Sequence, residues 1–106
     1  MQLEDDTEDF EREMRESRLA TAARLERAAS MLPPDPLVAS AIVGVRESCS
    51  NDDRAWQQVT LALDHLERSA GEGAMPREFW VILQDAAVGQ AEYERARRYK
   101  GRAEAA

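Results

Sequence analysis

The chain has 106 residues, of which 43% are hydrophobic and 33% charged; this is enough apolar content for one folded domain and excludes a disordered chain. Its net charge of −7 opposes binding of nucleic acid or anionic lipid by the whole surface and favours basic proteins as partners. The single cysteine excludes an internal disulfide, the acidic start differs from a signal peptide, and no apolar run approaches the ~20 residues of a membrane span, so we expect a cytoplasmic protein.

A first helix is predicted over residues 5–32, which contain no Gly or Pro and are rich in the helix formers Glu, Arg, Ala and Leu. Asp5 followed by Glu8 resembles a capping box and predicts that the helix begins there. Residues 33–36, Pro-Pro-Asp-Pro, end it because proline cannot donate a backbone hydrogen bond and restricts the residue before it. One apolar stripe, weakened around Ser17 and Arg18, follows helical 3–4 spacing and contains Phe10, Met14, Ala22, Leu25, Ala29 and Leu32.

Two shorter helices are predicted next. The second runs from Pro36 to about Cys49, because its apolar residues keep a 3–4 spacing that strand alternation does not match. Cys49 falls on the apolar face of this helix and is predicted to be a small buried thiol. The third helix is capped by Ser50, with Asp53 as the reciprocal acid, and ends near Ala70 before two glycines. Its apolar stripe consists of Trp56, Val59, Leu63 and Leu66.

A fourth helix is predicted from Pro76 to about Lys100, with Gly101 as a left-handed C-terminal cap. Trp56 and Trp80 both lie in apolar stripes and are predicted core residues. The whole pattern predicts an all-α fold: an antiparallel bundle of about four helices, with long first and last helices and a short second helix. Residues 1–106 are expected to form a single helical domain, with residues 1–5 and 102–106 frayed.

The two ends of the chain carry opposite charge. Residues 4–16 hold eight carboxylates against two arginines, and residues 92–102 hold five basic side chains against two acidic ones. In an up-down-up-down bundle the first and last helices are antiparallel neighbours, so the acidic start is expected beside the basic end. Exposed ion pairs contribute only ~0–1 kcal/mol each, so the opposite charges of the two helices favour this arrangement over others but add little to the stability of the fold. The charged candidates for interaction are Glu8, Asp9, Glu11, Glu13, Arg97 and Arg98.

Helix lengths indicate a second set of interaction residues. The first and fourth predicted helices each have about 25 residues, roughly twice the second, so the outer pair should project beyond the inner pair. Phe10, Met14 and Tyr93 would then lack full cover within one chain. We expect a homodimer that buries them; the open alternative is that about ten N-terminal residues fray and nothing covers them.

The sequence lacks the side chains that most catalytic and metal sites require. With one histidine, His65, and one cysteine, neither a di-iron carboxylate site nor a zinc site can be assembled. His65 lies beside carboxylates that could orient a general base, but a solvated boundary histidine is the simpler interpretation. No phosphate-binding loop or nucleophile elbow is present. We therefore predict no catalytic, cofactor-binding or metal-binding residue, and a protein that is not an enzyme.

These patterns favour a non-enzymatic helical protein–protein interaction module that self-associates, with a protein partner whose identity the sequence does not specify. One alternative is a small acidic inhibitor of the phage or plasmid type, whose rod of carboxylates imitates nucleic-acid charge against a basic target. Another is an accessory subunit of an enzyme complex. The basic run from Tyr93 to Arg102 could contact phosphates, yet the overall charge disfavours direct nucleic-acid binding.

Overall fold

The computed structural model describes residues 2–106, and the side chains from Glu8 onward. Over this range the chain forms five α-helices and no strand, which confirms the predicted all-α class. The helix count exceeds the four of the prediction. The helices are α1 (Gln2–Ala29), α2 (Pro36–Ser48), α3 (Asp52–Ala70), α4 (Arg77–Gly89) and α5 (Tyr93–Ala105).

The first helix begins and ends earlier than the sequence predicts. It is already helical at Gln2, so Asp5 is not its N-cap, and the side chain of Asp5 lies outside the described range. After Ala29, tight turns close the helix before the prolines: the amide of Met31 donates to the Ala28 carbonyl at 3.1 Å. No Gly or Pro interrupts the 28 residues of α1, so they form one continuous helix about 42 Å long.

The turn between α2 and α3 corrects two sequence predictions. Asn51, rather than Ser50, caps α3, because its Oδ1 accepts the backbone amide of Arg54 at 3.0 Å. Cys49 lies beyond the end of α2 with a positive φ of 46°, and its side chain is half-buried instead of lying on the apolar helix face. A non-glycine residue in this conformation gives no signal in the sequence, which is why the predicted helix continued through it.

The prediction of one long fourth helix is wrong, because the chain reverses its direction at residues 90–92. The amide of Glu92 donates to the Ala87 carbonyl at 2.9 Å and that of Ala91 to the Val88 carbonyl at 3.0 Å. This is the hydrogen-bond pattern of a Schellman motif, with Ala91 at φ 58° in the left-handed position that glycine normally occupies. The predicted cap Gly101 lies inside α5, as do residues 102–105, which were expected to fray.

The extra reversal changes which chain ends are neighbours. Asp64 of α3 pairs with Arg95 of α5, and one turn later in both helices Glu67 pairs with Arg98. The two helices therefore run in the same direction. Over the residues that the structure describes, the backbone of α1 comes close to those of α2, α3 and α4 but not to that of α5. The sequence prediction that the acidic start lies beside the basic end within one chain is therefore wrong: the chain starts and ends at opposite poles of the bundle.

The core is a single cluster in which all five helices take part. Trp80 is 1% exposed, as predicted, with the Phe79 ring edge-on at 4.9 Å and the Tyr99 ring stacked at 6.1 Å. The prediction that Trp56 is a core residue is wrong, since it is 46% exposed. Its neighbour Ala55 points into the core instead, so the buried stripe of α3 is centred one position before the tryptophan. The largest fully buried side chains are Trp80, Tyr99, Phe79, Leu25, Leu63, Leu66, Leu83, Val45 and Val59.

Replacing Ala91 with glycine should stabilise the fold. A left-handed conformation costs a non-glycine residue roughly 1–2 kcal/mol, and glycine's extra freedom in the unfolded chain offsets part of that gain. We expect Ala91→Gly to raise the free energy of unfolding by about 0.5–1 kcal/mol in urea denaturation. The matched control Ala23→Gly, at an exposed position inside α1, should lower it by about 0.5–1 kcal/mol. If both variants lose stability equally, residues 76–100 form one helix and α5 is not a separate element.

Candidate functional site

The N-terminal half of α1 projects from the bundle. Arg18, which is 7% exposed, is the first buried side chain along the helix, and every described residue before it is exposed except the half-buried Met14. We call residues 2–17 the arm; at 1.5 Å per residue it is about 24 Å long. The molecule is accordingly elongated, with extents of 54, 27 and 19 Å.

The arm continues the apolar stripe by which α1 packs into the core. Phe10 and Met14 lie eight and four residues before Arg18, on the face that buries Leu25 and Ala28 further along the helix. Phe10 is 54% exposed. An apolar stripe of this kind is typical of a helix that packs against another element, and on the arm that element is missing from the chain's own described residues.

Carboxylates border the apolar stripe of the arm. Residues 8–16 carry five carboxylates against two arginines, and the structure pairs only Arg12 with Asp9, at 3.8 Å. At 100° per residue, Glu11 and Glu13 fall on the two sides of the stripe formed by Phe10 and Met14. The predicted interaction residues of the N-terminal region therefore share one amphipathic, acidic helix.

Arg18 fixes the root of the arm to the bundle. Its Nε donates to the Cys49 carbonyl at 3.1 Å, and its guanidinium also pairs with Asp52. Both partners lie at the turn between α2 and α3, so the direction of the arm is set where α1 leaves the bundle. We call this end of the bundle the root pole. In the sequence, Arg18 appears only as a gap in the apolar stripe, and nothing there indicates that it anchors α1 to the bundle.

Two exposed aromatic side chains lie at the root pole. Tyr93, 60% exposed, begins α5, and Trp56 lies near the start of α3. The Trp56 Nε1 donates to Glu92 Oε1 at 2.7 Å, which ties α3 to the turn before α5. Tyrosine and tryptophan are over-represented among the residues that dominate binding energy at protein interfaces. The arm and the root pole together thus present several exposed large apolar side chains.

The basic residues of α5 divide into two groups. Arg95 pairs with Asp64 at 2.6 Å, and Arg98 forms two bonds to Glu67 at 2.8 and 2.9 Å, so both hold α5 against α3. Arg102 donates to the Gly71 carbonyl at 2.9 Å and lies 3.9 Å from the centre of the Trp80 ring. The predicted interaction residue Arg98 is thus occupied within the chain, because α5 reverses direction and turns this side toward α3.

The other basic side chains of α5 face solvent. Arg97 and Lys100 are exposed and have no carboxylate partner among the described side chains. At 100° per residue they share a face with the exposed Tyr93, away from the residues that contact α3. We call Tyr93, Arg97 and Lys100 the outer flank of α5. Lys100 was not singled out from the sequence, because its face is defined only once α5 is a separate helix.

Tyr99 links this helix to α3 from the buried side. Its hydroxyl donates to Glu67 Oε2 at 3.1 Å while its ring is fully buried. Burial disfavours the phenolate and raises the pKa of Tyr99 to about 12. The raised pKa of Tyr99 therefore indicates how closely α5 packs against the bundle. It thereby also tests the position of the outer flank, which lies on the same helix.

An apolar groove of about 790 Å³ lies where the end of α1, the proline segment and α2 meet. Leu32, Pro34 and Val43 contribute to its lining. The charged groups beside it are engaged within the chain: Asp35 caps α2, and Glu26 pairs with Arg46. A site for a small molecule usually offers a few convergent polar groups that fix the ligand's orientation, so the groove is a weaker candidate than the arm.

The remaining features of the described residues add no further site. No group of three or more His, Cys, Asp or Glu side chains stands close enough to hold a metal ion in residues 8–106. None of the described helices is both long and apolar enough to cross a membrane. The chain matches no protein-family model, no curated protein and no solved structure. Its function is therefore argued from its own residues.

A titration of Tyr99 tests the packing of α5. In the variant Tyr93→Phe, Tyr99 is the one remaining tyrosine, and its ultraviolet absorbance should titrate with a pKa of about 12. Because the folded-state pKa lies above the ordinary value of 10.0, the stability it contributes is complete below pH 10 and is lost as pH rises toward 12. The thermal unfolding midpoint should fall across the same window. A folded protein that titrates with a midpoint at 10 would show that α5 does not bury this ring.

Proposed function

We propose that this chain is a non-enzymatic, self-associating helical interaction module, and that the arm is its binding element. One observation carries the proposal: Phe10, which is exposed, and Met14, which is half-buried, extend the core-packing stripe of α1 beyond Arg18, the first described side chain of the helix that is buried. A stripe that is buried along one half of a helix and exposed along the other is incomplete without a second surface.

The energetics of an isolated helix support a partner for the arm. The arm continues a helix that the bundle already nucleates, but most helical stability in proteins comes from packing of the apolar face, which the arm largely lacks. Full burial of a Phe or Met side chain contributes about 1.5–3 kcal/mol. Covering Phe10 and Met14 therefore stabilises the arm as a helix and supplies the association energy in the same step.

Among the described residues, the chain's own bundle leaves Phe10 exposed and covers Met14 only in part. The absence of Gly and Pro from residues 2–29 leaves α1 without a point at which it could turn back, and the arm leaves the bundle at Arg18. Every copy carries the same uncovered stripe, so a symmetric dimer can cover two arms with one type of contact. This supports self-association over a role in which the arm stays bare.

Imitation of nucleic-acid charge remains a second candidate, favoured by the row of exposed carboxylates at Glu8, Glu11 and Glu13. It explains less of the arm, since a mimic that acts by charge has no need of Phe10 and Met14 on one face. The two functions also differ in salt dependence. Binding by charge alone falls steeply with ionic strength, whereas a contact that also buries an apolar stripe keeps the part of its affinity that comes from burial.

Removing the apolar side chains of the arm should dissociate the dimer. We expect the double variant Phe10→Ala/Met14→Ala to raise the dimer Kd by at least about 100-fold in sedimentation velocity, because a symmetric dimer loses four apolar side chains and every ~1.4 kcal/mol of lost burial is a factor of ten. The thermal unfolding of the bundle should change little, since Phe10 is exposed and Met14 is only half-buried. The matched control Leu19→Ala removes an apolar side chain that is 47% exposed on the opposite face of α1, and it should leave the Kd unchanged.

Two results would contradict this proposal. One is a wild-type chain that sediments as an 11.9 kDa monomer throughout the micromolar range. The other is a double variant that dimerises as well as the Leu19→Ala control. Association with a basic protein that survives the double variant but disappears in high salt would favour the charge-imitation function instead.

A further inference from the structure

We infer that the outer flank of α5 in a second copy of the chain is the surface that receives the arm. The inference rests on the proposed self-association and names the receiving residues: Tyr93, Arg97 and Lys100. Each arm then lies on the α5 of its partner, and the same contact is made twice about a two-fold axis.

Charge selects this surface from the rest of the molecule. Among the described side chains, only α5 presents two exposed cations one turn apart, Arg97 and Lys100, neither of which has a carboxylate partner. The exposed Arg24, Arg68 and Arg77 are scattered over three helices. Arg97 and Lys100 place two exposed cations in the middle of this face, and the exposed Glu104 follows on the same face one turn after Lys100. An acidic arm can pair with these two cations, and complementary charge fixes orientation and suppresses other pairings.

The same charges disfavour the simplest alternative dimer, in which the two arms pair with each other. Residues 8–16 carry a net charge of −3 in each copy, so two paired arms would place like charges side by side around Phe10 and Met14. Like-charged neighbours on facing helices are destabilising. Pairing of an arm with the outer flank replaces that repulsion with attraction at both contacts.

The lengths and directions of the helices fit the contact. Helix α5 has 13 residues and is about 20 Å long, close to the roughly 24 Å of the arm. The arm leaves the bundle at the root pole and α5 starts there, so two copies that meet root pole to root pole lay each arm antiparallel on the partner's α5. This direction brings the root of the arm toward Tyr93, and brings Glu13 and Glu11 toward Arg97 and Lys100.

The outer flank is free to be covered. Tyr93 is 60% exposed, and a Cβ built on Gly101, one residue after Lys100, would meet no heavy atom within 4 Å. The absence of a side chain at Gly101 lets another helix approach this end of α5 closely. Tyr93 at the other end offers an apolar ring to Met14, while its hydroxyl can remain in water.

The estimated area of the contact is typical of a weak dimer. Two reciprocal contacts between helices of this length bury on the order of 1,000 Å² in total, near the lower limit for a specific interface. Interfaces of this size are typical of weak and transient complexes, so we expect a dimer Kd on the order of micromolar. Association should therefore depend on concentration over an experimentally convenient range, and charge reversal should be enough to abolish it.

A charge-exchange experiment tests the assignment. The arm variant carries Glu11→Lys and Glu13→Lys, and the flank variant carries Arg97→Glu and Lys100→Glu. Each variant alone brings like charges together at both contacts, so its homodimer Kd should rise at least tenfold. In an equimolar mixture both contacts join opposite charges again, and a heterodimer should form. Native mass spectrometry identifies the heterodimer by its mass, and sedimentation velocity gives its Kd.

The control variant Arg24→Glu/Arg77→Glu makes the same change in net charge at exposed sites away from α5, and should dimerise like the wild type. The assignment is overturned if the flank variant dimerises as the control does, or if mixing fails to restore association. Either result leaves the self-association of the wild type standing, and with it the proposed function. A wild-type chain that is monomeric in the same assay would overturn both.

Discussion

A continuous helix cannot pack more of its length than the bundle beside it covers, and this constraint governs the molecule. Helix α1 has 28 residues without Gly or Pro, and its burial begins only at Arg18. The guanidinium of Arg18 bonds the Cys49 carbonyl and Asp52, so the last covered residue is also the one that anchors the helix to the next turn. Before it lies an amphipathic helix whose apolar stripe continues the core-facing side of α1 but is left largely uncovered by the described residues.

The second feature that shapes the surface is the reversal at Ala91. One alanine in a left-handed conformation divides residues 77–105 into α4 and α5 and turns the second half back along α3. Because of this reversal, Arg95 and Arg98 form ion pairs with α3, while Arg97 and Lys100 lie on the opposite side of α5. The acidic and basic ends of the chain, which cannot meet within one molecule, are thereby left complementary between molecules.

The sequence predicts the class of fold and the amphipathic stripes, because helical spacing is local and the prolines at residues 33–36 mark a boundary plainly. It also indicates Phe10 and Met14, since the length of the first helix exceeds that of its neighbours. It misses what depends on single backbone torsions: neither Cys49 nor Ala91 carries the glycine that would signal a left-handed turn. The wrong prediction of which charged ends are neighbours follows from the reversal at Ala91. The wrong prediction that Trp56 is buried follows from a shift of the buried stripe of α3 by one position, which only the packing of the helices determines.

Amide hydrogen exchange across residues 8–17, measured at concentrations below and above the dimer Kd, tests most directly whether a second copy covers the arm. Self-association through the arm predicts rapid exchange in the dilute protein and marked protection in the concentrated one, with residues 59–66 of the core equally protected in both. Exchange across the arm that is the same at every concentration, whether fast or slow, would contradict it.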